Sequence, residues 1–241
     1  MRVRPGCPAM IAAMARRAIL LDALGTLLEL EAPLPALQEL MLERHGIEVS
    51  PLDGQRALRA EMGHYRANCV RAADAASLLE LRLECAGIIA TSLGGEAQEL
   101  GAQELLPTLL DSLAFTPFPE VPPTLERWRA QGLRLVVASN WDVSLHDVLE
   151  RTGLRERLDG VATSAEVGTA KPSGELFAAA LELAGAQAGE AIHVGDSLEE
   201  DVAGAQAAGI DAVWVRRERH RDVEVPHGVT AIATLDELDP T

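Results

Sequence analysis

The sequence predicts an α/β fold: a three-layer core around a parallel sheet, interrupted by an inserted block of α-helices. Three observations carry this. Short apolar runs of strand length recur along the chain, several ending in polar residues. Helix-length amphipathic segments alternate with them after residue 117, the pattern of a parallel sheet with right-handed crossovers. Residues 33–116 break that rhythm, being rich in Leu, Ala, Glu and Arg with apolar residues at three-and-four spacing.

In chain order, residues 1–17 read as a flexible leader of Pro, Gly, Ala, Met and Arg, within which Met14 offers a second possible start. A first strand over 18–21 ends in Asp22 and is followed by Gly25-Thr26. The core is expected from 18–32 and again from 117–241, with four or so cap helices over 33–116 between them. The proline-rich stretch from Phe115 to Pro123 reads as a return hinge. Strands are then expected at 133–138, 160–162, 191–194 and 212–215, with helices at 123–131, 143–151, 174–184 and 198–208. Gly132, Gly153, Gly185 and Gly209 stand just past those helices, where a left-handed stop is needed.

Composition bounds the partners. The 241 residues carry a formal net charge of -16, so the surface repels nucleic acid and anionic lipid. No apolar run approaches the roughly 20 residues of a membrane span. Arg16-Arg17 precedes an apolar run that Asp22 cuts short, so it does not make an export signal. Cys7, Cys69 and Cys85 lie far apart without metal spacing, which fits a reducing cytosol. A cytoplasmic location is therefore expected; oligomeric state is left open.

Ligands of open parallel sheets bind beyond the carboxyl ends of the strands. The residues expected there are Asp22, Ser139-Asn140, Lys171, and Gly195-Asp196 with Asp201 behind them. A carboxylate nucleophile, a hydroxyl, an ammonium and two further acids make a phosphoryl-transfer set. Lys171 is the only lysine; the rest of the 21 basic residues are arginines.

Asp22-Ala-Leu-Gly-Thr-Leu27 resembles the first motif of the haloacid-dehalogenase superfamily. Ser139, Lys171-Pro172 and Gly195-Asp196-Ser-Leu-Glu-Glu-Asp201 are similar to its second, third and fourth motifs, in the family's order. The resemblance runs from Ala18 to about Val215 and implies a Rossmann-like core with a helical cap of the C1 type. It further implies a hydrolase acting on a small phosphorylated metabolite, with Asp22 as nucleophile and Ser139 and Lys171 assisting. Mg²⁺ would be held by Asp22, the Leu24 backbone carbonyl and Asp196, with Asp201 in the metal shell or orienting Lys171. Thr26, Asn140, Tyr65 and Arg66 are candidate substrate contacts.

One departure stands out. Most phosphatases of this family carry a second aspartate two residues after the nucleophile, where this chain has Leu24. That carboxyl protonates the leaving group and then activates water, help worth about 10² to 10⁴ in rate. Asp142 is a possible substitute, or else the cap of the helix expected from 143. Alternatives are a phosphate-binding regulatory protein with weak catalysis, or 2-haloacid dehalogenase chemistry. The dehalogenases lack the Gly-Asp…Asp pattern kept here. Ser197 and Glu200 fit a capping box, His193 reads as a structural histidine, and Arg216 to Arg221 reads as a solvated basic loop.

Overall fold

The computed structural model describes residues 16–220 and 222–240. Apart from Arg16 and Arg17, the expected leader lies outside the described residues, as does Cys7.

Strand β1 (Ala18–Leu21) is followed by β2 (Leu28–Leu30) and four helices: α1 (Pro33–His45), α2 (Pro51–Asn68), α3 (Ala75–Leu93) and α4 (Gly95–Asp111). β3 (Phe115–Pro117) ends that block. Then come α5 (Val121–Ala130), β4 (Arg134–Ser139), α6 (Leu145–Arg151), β5 (Gly160–Thr163), the short α7 (Ser164–Val167) and α8 (Gly174–Ala184). The chain finishes with β6 (Ala191–Gly195), α9 (Gly204–Ala207), β7 (Asp211–Val215) and β8 (Thr230–Ile232).

Six strands form one parallel sheet in the order β5-β4-β1-β6-β7-β8. β1 pairs with β4 on one side and β6 on the other, and all four of its residues are fully buried. Side chains alternate between faces along a strand. Ile19, Leu21, Leu135 and Val137 pack with Leu125, Trp128, Leu145 and Leu149 of α5 and α6. Ala18, Leu20, Val136 and Ala138 pack on the other face with Phe177, Ala180 and Ala205 of α8 and α9. Helices therefore cover both faces, giving three layers, with each fully buried large apolar side chain contributing about 1.5–3 kcal/mol.

The helical block has its own core, including Leu37, Met41, Leu81, Ile89, Leu105 and Leu109. Its helices start as sequence chemistry dictates. Ser50 caps α2 through its bond from Asp53 N–H, and Asp74 caps α3 by accepting from Ala76 and Ser77 N–H. Its two connections to the sheet domain run side by side, because β2 and β3 pair antiparallel (Glu29 opposite Thr116). The stretch expected as a proline-rich hinge is thus partly a strand. Its partner lies far away in sequence, where local pattern does not reveal it.

Candidate active site

Asp22 follows the central strand β1, and its N–H donates to the Val194 carbonyl of β6 at 2.9 Å. The chain then turns tightly on the Ala23 carbonyl, which accepts the N–H groups of Thr26, Leu27 and Leu28. Gly25 sits there at φ 88°, a left-handed conformation that favours glycine. Two donors converge on Asp22 Oδ1: Ser139 Oγ, from the end of the neighbouring strand β4, at 3.0 Å, and Lys171 Nζ at 2.7 Å.

Lys171 is placed by its main chain. Its N–H donates to Asn140 Oδ1 at 2.6 Å, and Asn140 Nδ2 donates to the Lys171 carbonyl at 3.0 Å. Asn140 thus works as a two-sided bracket, although it also lines the cavity. The Lys171 ammonium also reaches Asp201 Oδ1 at 2.6 Å. The same oxygen meets His193 Nε2 at 2.9 Å, and Asp201 Oδ2 accepts from Ser197 N–H at 2.9 Å. Both Asp201 oxygens are therefore engaged.

That last bond corrects the expected capping box. Ser197 Oγ accepts from Glu200 N–H as foreseen, but Asp201, not Glu200, returns the bond to Ser197 N–H. The segment Leu198–Ala203 is wound as a π-helical turn, with Val202 N–H reaching the Ser197 carbonyl. The wider turn brings the carboxylate one position later back over its own start. Gly195 makes room for it, since a Cβ there would meet Asp201 Cγ at 2.1 Å.

Burial and partner charge act in opposition here. Burial pushes the Asp22 carboxyl above the ordinary range, with Lys171 opposing that rise and Asp201 adding to it. Burial draws Lys171 down, but Asp201 and Asp22 outweigh it and hold the ammonium above the usual lysine value. Burial also raises Asp201, and Lys171 with His193 overcomes this, holding it well below the usual carboxylate range. Lys171 and Asp201 thus form a buried, charged pair.

Asp22, Asp196 and Asp201 offer carboxylate oxygens within 4.8 Å of one another, a group that could hold a metal ion. Asp196 is fixed through its backbone carbonyl, which accepts from Trp214 Nε1 at 2.9 Å. Hard oxygen donors of this kind suit Mg²⁺. Of the three, Asp201 already carries an ammonium, an imidazole and a peptide N–H.

A cavity of about 570 Å³ opens over these groups, and Asp22, Leu24, Arg66, Ser139, Asn140 and Asp196 are among its lining residues. Arg66 is exposed on α2 and projects from the helical block into it. Tyr65, beside it, lies outside that cavity and donates to Asp142 Oδ2 at 2.9 Å. Burial, then Asp142, pushes the Tyr65 phenol well above its ordinary pKa. Asp142 Oδ1 accepts from Ser144 N–H at 2.7 Å, but the helix begins only at Leu145 with Ser144 at its N-cap and no side-chain cap bond, so Asp142 braces the turn before the helix and does not cap it as expected. Thr26 is fully buried and does not line the cavity, and its Oγ1 has no hydrogen-bond partner.

Arg217 corrects the expectation of a solvated basic loop. It is buried, donating to the carbonyls of Gly25 and Thr26 and to Glu120 Oε1, with its guanidinium 3.6 Å from the centre of the Phe118 ring. It ties the turn after Asp22 to the segment following β3. His193 was visible as a polar residue on an apolar strand; no local signal marked Arg217.

The central strand of a parallel-sheet core thus delivers a carboxylate to a hydroxyl and an ammonium at one sheet edge. The sequence profile of the haloacid dehalogenase-like hydrolases matches residues 16–209, and the chain belongs to that family. Haloacid dehalogenase-like hydrolase domain-containing protein 3 of Bos taurus is 41% identical over 106 residues, 44% of this chain and 42% of that protein. Glyceraldehyde 3-phosphate phosphatase of Methanopyrus kandleri is 37% identical over 109 residues, 45% and 47% of the two chains. The chain thus spans under half the length of these curated relatives. A solved phosphatase of the family from Thermococcus onnurineus is 27% identical, covers 92% of this chain and 95% of its own, and superposes with a TM-score of 0.61. No helix among the described residues is long and apolar enough to cross a membrane.

Proposed function

We propose that this hydrolase is a Mg²⁺-dependent phosphatase of a small phosphorylated metabolite, with Asp22 as nucleophile. The observation that carries the reading is the convergence of Ser139 Oγ and Lys171 Nζ on Asp22 Oδ1, at 3.0 and 2.7 Å, beside the acidic group with Asp196. The phosphatase names of relatives aligned over about half the chain support it.

Asp22, Asp196 and the Leu24 carbonyl would hold the metal; Asp201, with both oxygens engaged, acts as the counter-ion that aims Lys171. When bound, Mg²⁺ supplies positive charge that lets an anionic carboxylate approach an anionic phosphate. The remaining work belongs to the chain. Lys171 and Ser139 orient Asp22 and neutralise the phosphoryl oxygens. Asn140 keeps Lys171 in place through its main chain. Asp22 then takes the phosphoryl group, and water releases it in a second displacement. The block from α1 to α4 serves as a cap, with Arg66 projecting toward the substrate and Tyr65 latching onto Asp142 of the core.

The test is steady-state hydrolysis of p-nitrophenyl phosphate and a panel of metabolite phosphates, with Mg²⁺ or with EDTA, for the wild type and Asp22→Asn. Turnover should require both Mg²⁺ and Asp22. A second reading, a phosphate-binding regulatory protein, is favoured by Leu24 where an acid is usual. Mg²⁺-dependent binding of phosphate analogues without product from any ester would establish it instead.

A further inference from the structure

A second, smaller cavity adjoins the one over Asp22. It encloses about 270 Å³ between the helical block and the core, and Leu24, Arg66 and Asn140 line both cavities. Its volume falls just under the range of about 300–1,000 Å³ typical of drug-sized ligands, so it suits a body of about one ring. Leu24, Leu30, Leu113, Phe115 and Trp141 supply an apolar wall. The Phe115 and Trp141 rings lie 5.1 Å apart at 58°, a tilted aromatic pair within that wall.

The chemistry at its mouth points the same way. Leu24 has no proton to give. Asp142, the substitute the sequence offers, lines this second cavity but spends both oxygens as acceptors, from Tyr65 Oη–H and Ser144 N–H. A leaving group entering here meets a ring-sized apolar wall and finds Leu24 and an Asp142 with both oxygens engaged; Glu61 and Asp147 are the other carboxyl groups of the lining.

We infer that the substrate is an aryl phosphate monoester, its ring held against Leu24, Leu113, Phe115 and Trp141 and its phenolic oxygen departing without a donated proton. The inference rests on the phosphatase reading above. In the first step, an Asp22 carboxylate oxygen bonds to phosphorus as the phosphorus–aryloxy bond breaks. The bonding pair leaves on the aryloxide, which takes a proton from solvent. In the second, a water oxygen bonds to phosphorus, the bond to Asp22 breaks with its pair returning to the carboxylate, and one water proton passes to solvent. Phenols release their oxygen as an anion readily; alkyl alcohols do not. Alkyl esters therefore bear the whole loss of general-acid help.

The test compares phenyl phosphate, benzyl phosphate and acetyl phosphate with the full chain and Mg²⁺. Phenyl and benzyl esters are alike in size and ring but differ in leaving group. Acetyl phosphate needs no proton and carries no ring. The expected result is a kcat for phenyl phosphate about 10² to 10⁴ above that for benzyl phosphate. Leu113→Ala should raise KM for phenyl phosphate more than for acetyl phosphate. Leu24→Asp should raise benzyl turnover far more than phenyl turnover. Equal phenyl and benzyl rates, with Mg²⁺ and Asp22 still required, would show that another group such as Glu61 or Glu200 gives the proton and would overturn the inference alone. An equal effect of Leu113→Ala on both KM values would also overturn it. Turnover of acetyl phosphate alone would overturn this inference, and no turnover of any of the three phosphates would overturn the phosphatase reading with it.

Discussion

Lys171 Nζ and Asp201 Oδ1 lie 2.6 Å apart with both side chains almost wholly buried. Such a pair owes its charge to mutual support, because either ion alone in that setting bears an unpaid desolvation penalty. Lys171→Met should therefore cost roughly 3–5 kcal/mol of stability near neutral pH and abolish turnover. Urea midpoints of wild type and variant give the first quantity.

The same pair sets a pH window. Asp201 is held low, so its contribution is present above the unfolded carboxylate value of about 3.9 and fades as pH falls through the lower folded value. Lys171 is held high, so its contribution is present below the unfolded value of about 10.4 and fades as pH rises through the higher folded one. The stability difference between wild type and Lys171→Met should be largest between those limits and shrink toward acid, where Asp201 in the variant protonates. A difference that stayed constant down to about pH 3 would contradict the pairing.

Two glycines test how closely the site is packed. Gly195→Ala drives a methyl into Asp201, and overpacking of this kind costs about 1–3 kcal/mol. Because Asp201 aims Lys171, kcat should fall more than KM rises. Gly63→Ala, in mid-α2 with nothing within 4 Å of the new methyl, should instead stabilise by about 0.5–1 kcal/mol. Thermal melts and steady-state kinetics on the two variants separate these effects.

Arg217→Ala removes the ion pair to Glu120, two bonds to the turn after Asp22 and the stacking on Phe118. A loss of roughly 2–4 kcal/mol follows from leaving those partners unmatched. Arg217→Lys should recover little of it, since an ammonium lacks the planar fork that meets three acceptors at once. Denaturation midpoints close to wild type in both variants would refute the clamp.

Much of the site was legible because parallel strands are short apolar runs and the residue after each run is polar. Asp22, Ser139, Lys171 and Asp196 could be named from that rule and the family motifs, and the structure brings them to one edge. What stayed hidden depends on partners distant in sequence. β2 and β3 define each other across the whole helical block. Arg217 reads as solvated until Glu120 and Phe118 fold against it. The π-helical turn at Leu198–Ala203 looks like an ordinary helix start, because the extra residue in the turn leaves no compositional trace. Thr26, a candidate substrate contact within the first motif, lies buried in the turn because the Ala23 carbonyl gathers the chain back on itself.

The central claim is that Asp22 carries the phosphoryl group, and a rapid-quench experiment reads this directly. Enzyme with Mg²⁺ is mixed with p-nitrophenyl phosphate, stopped in acid within the first turnover, and mapped by peptide mass spectrometry. The account predicts a burst of nitrophenol approaching one per enzyme, since Leu24 gives no base to hasten the second step. It also predicts a phosphoryl group on Asp22, with neither burst nor label in Asp22→Asn. Nitrophenol release by Asp22→Asn at the wild-type rate, or a phosphoryl group on another residue, would contradict it.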